Sequence, residues 1–316
     1  MPVKPIVVTS RCLGFDSCRY NGDIVSAPFV QKLADHVHFL TVCPEVEIGL
    51  GTPRDPIRIV AGEGGRRLIQ PTTGRDLTQG MESFGQDYLD SLSAVDGFIL
   101  KSRSPSCAIR DANIHLSTEK KDVAGRGSGL FAQAVLERFP YAAIEDEGRL
   151  TNPRSREHFL TQLFVRARFR LVREALTIRR LIQFQAENKL LLMAYSQTKM
   201  RLMGQILGRC DEEKLLTTLE DYGDQLGAAL SRAPRHTSNI DVLMHGFGYF
   251  SDHLSSHEKS SFLSALESYR EKRIPLGRVA AILETWIARF RNDYLASQTF
   301  FYPYPKELDL KEDVAC

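Results

Sequence analysis

Ile6-Val-Val-Thr-Ser10-Arg-Cys12-Leu-Gly14 joins a short run of β-forming residues to a cysteine in a turn. Branched aliphatic residues followed by Thr predict a β-strand, and the glycine marks the turn that follows it. The same arrangement recurs where Phe39–Val42 precedes Cys43 and where Gly97–Leu100 precedes Cys107. Three predicted strands in the first third of the chain therefore end close to a cysteine.

Helical patterns separate these predicted strands. Apolar residues at helical spacing predict helices over 27–37, 78–95 and 129–139. The glycine cluster within 57–70 predicts a β-hairpin, and residues 142–144 predict a last strand. The run Gly125–Gly129 predicts a flexible turn, and an anion site at the start of the next helix is the alternative. The alternation predicts an α/β N-terminal domain, in which a mostly parallel sheet carries helices on its faces.

The pattern changes after residue 148. From Pro153 onward no run predicts a strand. Helical periodicities follow over 154–187, 196–207, 211–231, 236–252, 256–272 and 276–298. We therefore predict an all-α C-terminal domain, with domain bounds of 1–150 and 151–316, each within the roughly 100–200 residues of a typical domain.

The composition is that of an ordinary globular protein, with 43% hydrophobic and 25% charged residues. The first residues lack the apolar segment and cleavage site of a signal peptide, and no run approaches the roughly 18 apolar residues of a membrane span. We therefore expect a cytoplasmic protein with no membrane partner. In a reducing compartment, cysteines indicate metal binding or catalysis rather than a disulfide framework. Cys210 and Cys316 lie far from the other four cysteines and are interpreted as structural.

The net charge is only +2, but the basic residues are unevenly distributed. Residues 151–205 contain eleven Lys and Arg against three Glu. Such a local excess attracts a polyanion such as RNA, and a solvated, Arg-rich helix face is the alternative interpretation. The predicted RNA-binding residues are Arg166, Arg170, Arg173, Arg179, Arg180 and Lys189, and all the arginines fall on one predicted helix.

The cysteines at the strand ends are predicted to meet in space. Ligands of an open α/β sheet bind outside the carboxyl ends of its strands, and Cys12, Cys43 and Cys107 lie just past three of them. Structural zinc usually takes four protein ligands, commonly in C-x-x-C pairs, which this chain lacks, whereas a 4Fe–4S cluster on three cysteines keeps one iron open for substrate. Cys18 is an alternative ligand in place of Cys12, and buried, inert thiols are the structural alternative.

Four motifs occur in order within the first 150 residues: Ser10-x-Cys12-Leu-Gly14, Cys18-Arg-Tyr-Asn-Gly22, Cys43-Pro-Glu45 followed by Gly49-Leu-x-x-Pro53-Arg54, and Lys101-x-x-Ser104-Pro-Ser-Cys107. Together they closely resemble the thiouracil desulfidase family, and four motifs in the same order make the resemblance specific. The C-terminal half resembles the helical domain often fused to that family, through Lys189–Ser196, Tyr269–Pro275 and Tyr294–Leu308. The fused form resembles desulfidases of 4-thiouridine in transfer RNA.

The resemblance implies an α/β domain that holds an oxygen-sensitive 4Fe–4S cluster with one open iron. The cluster ligands that it implies are Cys12, Cys43 and Cys107. Glu45 matches the acid–base group of the family, and a serine of the Ser102–Ser106 stretch assists, with Ser104 favoured over Ser102. Cys18 matches a position outside the cluster. The helical domain is expected to bring thiolated transfer RNA to the site.

This chemistry suits the residues that carry it. A thiocarbonyl sulfur is soft and prefers a thiophilic metal, and a carboxylate can take the proton of an attacking water. We therefore expect an enzyme that converts 4-thiouridine in transfer RNA to uridine and releases hydrosulfide without net electron transfer. Two alternatives are open: the same chemistry on free thiopyrimidine bases, and a non-catalytic iron–sulfur sensor that binds RNA.

Overall fold

The structure, a computed structural model, describes residues 3–62, 64–119 and 122–308. These residues divide between two compact units, Met1–Ala167 with Pro305–Cys316 and Arg168–Tyr304. The strands are β1 (Ile6–Ser10), β2 (His38–Val42), β3 (Arg58–Gly62), β4 (Gly65–Gln70), β5 (Arg75–Asp76), β6 (Gly97–Leu100), β7 (Ala112–His115), β8 (Val123–Gly127) and β9 (Ala143–Asp146). The α-helices are α1 (Pro28–Leu33), α2 (Pro44–Glu47), α3 (Thr78–Ser91), α4 (Leu130–Arg138), α5 (Pro153–Ala175), α6 (Ile178–Glu187), α7 (Lys189–Leu207), α8 (Leu215–Leu230), α9 (His236–Gly248), α10 (Ser256–Arg270), α11 (Leu276–Phe290) and α12 (Asp293–Ala296).

The first unit is built on a four-stranded parallel sheet with the strand order β2-β1-β6-β9. Thr9 on β1 pairs with Thr41 on β2 and with Ile99 on β6. Val8 and Phe98 have no exposed surface, as is typical of parallel strands that are covered by helices on both faces. The predicted parallel sheet is confirmed, and the carboxyl ends of β1, β2 and β6 lie side by side.

A glycine begins β6 because neighbouring groups come very close to its backbone. A Cβ on Gly97 would lie 2.6 Å from the carbonyl oxygen of Ala143 on β9 and 2.9 Å from Cδ1 of Leu163 on α5. Both of these neighbours are fully buried. A larger residue at position 97 would therefore displace either the adjacent strand or the helix that covers it.

A second, mixed sheet has the strand order β5-β4-β3-β7-β8. Its β3–β4 pairing confirms the predicted hairpin, whereas β7 and β8, which pair with each other in antiparallel fashion, were not predicted. The flexible turn predicted over Gly125–Gly129 is wrong for most of its length, because β8 extends to Gly127. Most of β8 is exposed on both faces, so it has no apolar alternation from which a strand could be predicted.

Helices α3 and α4 bury their apolar residues in the core of the first unit. Met81 on α3 and Phe131 on α4 belong to the same buried cluster as Phe98 of the parallel sheet. Helices α1 and α3 end at Leu33 and Ser91, short of the predicted ends at 37 and 95. Apolar periodicity therefore located these helices correctly but overestimated their length.

Among the described residues of the second unit, all regular elements are helices, which confirms the predicted all-α character. The core surrounds Trp286, whose ring centroid lies 5.5 Å from that of Phe262 and 6.1 Å from that of Phe250. Asn188 is fully buried and accepts a hydrogen bond of 2.7 Å from Thr299 Oγ1. Nowhere in the described ranges is there a helix both long and apolar enough to cross a membrane.

The single helix predicted over 154–187 is wrong, because two helices, α5 and α6, occupy this stretch. Leu176 has a left-handed φ of 48°, and the side chain of Thr177 caps α6 by accepting a hydrogen bond from the Arg180 amide. A lone Thr within an otherwise periodic run is a weak stop signal. Of the predicted RNA-binding arginines, α5 carries Arg166, Arg170 and Arg173, and α6 carries Arg179 and Arg180.

Candidate active site

A cavity of about 350 Å³ lies at the carboxyl ends of β1, β2 and β6, and four cysteines line it. Cys12 follows β1, Cys43 is the N-cap of α2 directly after β2, and Cys107 lies in the loop after β6. Cys18 lies in the loop between β1 and α1. The fold thus brings the three predicted ligands, and the alternative ligand, to one place.

Burial disfavours the charged form of these thiols. Burial, with the neighbouring Cys43, raises the pKa of Cys12 and the pKa of Cys18 each to about 12. Burial also raises the pKa of Cys107 well above its ordinary value. Isolated thiols in this setting stay protonated at neutral pH, and a bound metal group reverses this preference because its positive charge favours thiolates. The cavity is therefore lined by soft sulfur donors, and binding of a cation would favour the loss of their protons.

The donor set fits a soft metal group. Sulfur ligands favour zinc, copper(I) and iron–sulfur clusters. Within residues 3–62, 64–119 and 122–308, no three His, Cys, Asp or Glu side chains already stand at the spacing of a single-ion site. The cavity between Cys12, Cys43 and Cys107 has room for such a group.

Glu45, in the first turn of α2, lines the same cavity and is held by Arg54. Arg54 Nε and Nη2 donate to Glu45 Oε2 at 3.0 and 2.7 Å. Arg54 Nη1 also donates to the carbonyl oxygens of Cys18 and Gly51, at 3.0 and 3.1 Å. One guanidinium group therefore fixes the carboxylate and the Cys18 loop together, through charge-assisted bonds of good geometry.

The other oxygen of Glu45 faces two serine hydroxyls. Glu45 Oε1 accepts hydrogen bonds from Ser106 Oγ at 3.0 Å and from Ser104 Oγ at 3.4 Å. Ser104 Oγ also accepts from the backbone amides of Ser106 and Cys107, both at 3.1 Å, which leaves its own proton for the carboxylate. Ser104 lines the cavity, whereas Ser106 is fully buried. Sequence reasoning did not single out Ser106, because only its position within a Ser-rich stretch marked it.

The start of α4 holds this serine loop in place. Three backbone amides donate to carbonyl oxygens of the loop, Gly129 to Ala108 at 2.8 Å, Leu130 to Pro105 at 3.1 Å and Ala132 to Ser106 at 3.0 Å. A Cβ on Gly129 would lie only 2.5 Å from the carbonyl carbon and oxygen of Ser106. Glycine is therefore required at position 129 for α4 to reach the loop.

Ser102, the second predicted serine, belongs to a different hydrogen-bond network. Its Oγ donates to Glu147 Oε1 at 2.7 Å, and its amide donates to Glu147 Oε2 at 2.8 Å. Lys101 Nζ forms an ion pair with Glu147 Oε1 at 2.5 Å. Although burial acts to raise the pKa of Glu147, the hydrogen bonds from Lys101 and Ser102 outweigh it and lower that pKa. Sequence reasoning missed Glu147, which carries no motif of its own.

Cys18 lies close to a proposed ligand, whereas Cys210 and Cys316 lie elsewhere in the chain. Cys43 Sγ lies 3.8 Å from the carbonyl oxygen of Cys18, so these two residues are neighbours within the cavity. Cys210 is partly buried in the second unit, just after α7, and does not line the cavity. Cys316 lies outside the described residues.

The predicted RNA-binding residues differ in exposure. Four of them are exposed in the second unit: Arg173, Arg179, Arg180 and Lys189. Arg170 is partly buried and forms an ion pair with Glu174 at 3.0 Å. Arg166 lies mostly inside the first unit, where its Nε has no hydrogen-bond partner among the described residues and burial lowers its pKa to about 10. Arg166 is therefore poorly placed to contact a phosphate group.

Known proteins share both halves of this chain. A family model described as 2-thiouracil desulfurase matches residues 7–147, and one described as a protein of unknown function, DUF1722, matches residues 189–305. The uncharacterized protein YbbK of Bacillus subtilis (strain 168) is 36% identical over 149 residues, which cover 45% of this chain and 95% of YbbK. The uncharacterized protein YbgA of Escherichia coli (strain K12) is 26% identical over 143 residues, which cover 45% of this chain and 85% of YbgA.

Among solved structures, the 4Fe–4S-dependent thiouracil desulfidase TudS is 27% identical, and the match covers 47% of this chain and 94% of TudS. Its TM-score of 0.39 is too low to carry a structural argument. The family-model match instead coincides with the stretch that contains all four sequence motifs. The resemblance drawn from those motifs is confirmed: the chain belongs to the 2-thiouracil desulfurase family, a family of enzymes, and carries an additional helical C-terminal region.

Proposed function

We propose that this protein removes sulfur from thiolated uracil and that its substrate is 4-thiouridine in transfer RNA. The reaction exchanges the thiocarbonyl for a carbonyl, consumes water and releases hydrosulfide, with no net transfer of electrons. One observation carries the proposal: Glu45 Oε1 accepts a hydrogen bond from the cavity-lining Ser104, inside a cavity that four cysteines also line. Membership of the 2-thiouracil desulfurase family supports the same reaction class.

The cofactor that we propose is a 4Fe–4S cluster held by Cys12, Cys43 and Cys107, with one iron free of protein ligands. When bound, it supplies a thiophilic Lewis acid for the substrate sulfur. The shared cavity and the soft donor set support this assignment. The 4Fe–4S dependence of the similar protein TudS agrees with it.

The protein's own residues orient the carboxylate of Glu45, which accepts the proton. Arg54 holds Glu45 Oε2 with two N–H bonds, so Oε1 is the oxygen that faces the cavity-lining hydroxyl. Water that attacks the ring carbon must lose a proton, and a carboxylate within hydrogen-bond reach can accept it. Ser104 links the cavity to Glu45 Oε1 and can relay that proton, while the buried Ser106 orients the carboxylate from behind.

We propose that the helical domain, residues 151–316, binds the RNA and that the protein acts in the cytoplasm. The exposed basic residues of α5, α6 and α7 support the RNA-binding role. Phosphate contacts release counterions, so RNA affinity should fall steeply with salt. The target base must still enter the cavity, at an unstacking cost of a few kcal/mol if it leaves a stack.

Anaerobic reconstitution tests the proposal. The full chain, incubated with ferrous iron and sulfide, should turn brown and then abolish the characteristic absorbance of 4-thiouridine in transfer RNA, with stoichiometric hydrosulfide. Turnover of free 4-thiouracil but not of thiolated transfer RNA would favour the free-base alternative. Cluster formation with RNA binding but no hydrosulfide from either substrate would instead identify a sensor.

A further inference from the structure

Side chains from other parts of the first unit anchor the turn that follows β6. Three successive backbone amides, those of Lys101, Ser102 and Arg103, each donate to a side-chain oxygen. The acceptors are, in the same order, Ser10 Oγ at 3.0 Å, Glu147 Oε2 at 2.8 Å and Asp111 Oδ1 at 2.8 Å. Because each amide has a partner contributed by a distant residue, the position of this turn depends on the tertiary structure.

Glu147 binds the turn with both of its carboxylate oxygens. Besides the Ser102 amide on Oε2, it accepts hydrogen bonds on Oε1 from Ser102 Oγ at 2.7 Å and from Lys101 Nζ at 2.5 Å. Its side chain is only 13% exposed. Glu147 directly follows β9, the strand that pairs with β6. The carboxylate therefore connects the end of one parallel strand to the turn at the end of its neighbour, partly through a charge-assisted bond.

The turn contains a strained residue between Ser102 and Ser104. Arg103 has a left-handed φ of 59°, which is unfavourable for a residue with a side chain and persists where the surrounding structure imposes it. Ser102, which precedes it, is held by Glu147. Loss of the Glu147 bonds would allow the backbone at Arg103 to relax, and Ser104 would move with it.

Ser104 is the residue through which such a movement would reach Glu45. Its Oγ lies 3.4 Å from Glu45 Oε1, whereas Ser106 Oγ lies 3.0 Å from the same oxygen. The longer bond is close to the limit of hydrogen-bond geometry, so a small displacement would break it. Ser104 Oγ also accepts the backbone amides of Ser106 and Cys107, and the same displacement would weaken these two bonds.

We propose that Glu147 is a positioning residue of the desulfuration reaction, which fixes the turn after β6 so that Ser104 stays against Glu45. This inference rests on the proposed function, in which Ser104 relays a proton to Glu45. Glu147 does not line the cavity, so it acts through the turn rather than on the substrate. Ser102, whose hydroxyl donates to Glu147, is then a link between Glu147 and the turn rather than a second proton relay.

The experiment compares the reconstituted full-length wild type with Glu147→Gln, Ser104→Ala and the double variant, with 4-thiouridine as substrate. Glutamine keeps the shape of the side chain but replaces one acceptor oxygen by an NH₂ donor. That donor would face the N–H and O–H donors of Lys101 and Ser102, which now bind the carboxylate. Iron content and melting temperature of each variant report on cluster loading and folding.

Glu145→Gln is the matched control. Glu145 is a carboxylate on β9 with a similarly low exposure of 10%, and its partners are two arginines, Arg149 at 2.9 Å and Arg110 at 3.6 Å. Its replacement therefore removes a buried carboxylate close to Glu147 without removing an acceptor of the turn.

We expect Glu147→Gln to lower kcat by roughly ten- to a hundredfold, because a misplacement of about 1 Å can cost about a hundredfold, and to leave KM and iron content nearly unchanged. In the Ser104→Ala background the same substitution should change kcat by less than about twofold, since two residues that act through one contact are not additive. Glu145→Gln should retain the wild-type kcat. An equal fold loss with and without Ser104, a wild-type kcat in Glu147→Gln, or an equal loss in Glu145→Gln would overturn the proposal.

Hydrogen exchange followed by mass spectrometry measures the positioning independently of turnover. The amides of Ser106 and Cys107, which bind Ser104 Oγ, should exchange up to about tenfold faster in Glu147→Gln than in the wild type, as expected when the net contribution of one hydrogen bond is lost. Glu145→Gln should exchange like the wild type, and unchanged exchange in Glu147→Gln would overturn the positioning. If the wild type desulfurates no substrate, the proposed function fails and the catalytic consequence with it, whereas hydrogen exchange still decides whether Glu147 holds Ser104 in place.

Discussion

Arg54 Nη2 lies 2.7 Å from Glu45 Oε2, and the two side chains are only 6% and 12% exposed. The same guanidinium binds the carbonyl oxygens of Cys18 and Gly51 and lies 4.0 Å from Cys43 Sγ. Such a pair fixes the orientation of its side chains more than it stabilises the fold. The free energy lost in removing two charges from water offsets much of the favourable energy of their attraction. The orientation of Glu45 therefore depends on a side chain nine residues away.

Replacement Arg54→Lys tests this orientation. Lysine keeps the charge but is a point donor without the planar fork, so the carboxylate should lose its fixed orientation. We expect kcat to fall by roughly one to two orders of magnitude, since a misplacement of about 1 Å can cost a hundredfold, with nearly unchanged KM and iron content. Arg67→Lys is the control, because Arg67 forms an equally short pair with Asp76 that is solvent-exposed. A wild-type kcat in Arg54→Lys would contradict the positioning role.

Glu45→Gln should leave the cluster in place and abolish most turnover. The amide keeps the shape of the side chain but accepts protons poorly, and a general base contributes roughly 10²–10⁴-fold in rate. Glu47→Gln is the matched control on the same helix, where Glu47 pairs with Arg11. Single-turnover release of hydrosulfide from 4-thiouridine measures the effect. Retention of more than half the rate with full iron content would rule Glu45 out as the base.

Removal of individual thiols tests the ligands of the proposed cluster. Replacing Cys12, Cys43 or Cys107 by Ala should abolish the brown colour and the acid-labile sulfide, because each supplies one iron ligand in our proposal. Cys210→Ala should retain both, since Cys210 does not line the cavity. Cys18→Ala separates the two ligand assignments. Loss of the cluster in Cys18→Ala and its survival in Cys12→Ala would exchange the roles of these two residues.

Gly129→Ala should destabilise the first unit and impair the serine loop. The added methyl group would lie 2.5 Å from backbone atoms of Ser106, which cannot move aside as a side-chain end could. Overpacking of this kind costs on the order of 1–3 kcal/mol, measured as a shift of the urea midpoint. Gly125→Ala is the control, because a Cβ there meets nothing within 4 Å. Equal urea midpoints for the two variants would show that the serine loop accommodates the methyl group without loss of stability.

Charge reversal on the helices tests the RNA role of the second unit. Arg179 and Arg180 are exposed on α6, and changing both to Glu should weaken binding of transfer RNA. The slope of log affinity against log salt should become shallower by about one for each phosphate that the variant no longer binds. Turnover of 4-thiouracil should be affected far less. The control reverses two other exposed arginines of the unit, Arg209 and Arg232. Equally weakened binding in both double variants would indicate a general charge effect rather than a binding surface.

Local patterns were sufficient for the elements that carry the thiols. The strands β1, β2 and β6 are short apolar runs that each end near a cysteine, and parallel strands necessarily bring their carboxyl ends to one edge. The grouping of Cys12, Cys43 and Cys107 therefore followed from the sequence. The exposed strand β8 did not, because it has no apolar alternation. The lengths of α1 and α3 did not either, because apolar residues continue past the ends of these helices to Val37 and Val95.

The sequence by itself determined the α/β and all-α classes and the cysteine and carboxylate motifs, since these depend on neighbours along the chain. Only the tertiary structure decided which groups meet: Glu45 with Arg54 and Ser106, 9 and 61 residues away, and Lys101 with Glu147, 46 residues away. It also decided that Arg166 is mostly buried while Arg179 is exposed. Such contacts depend on the register of strands and the packing of helices, and no local pattern encodes the distance between two side chains that the fold brings together from distant parts of the chain.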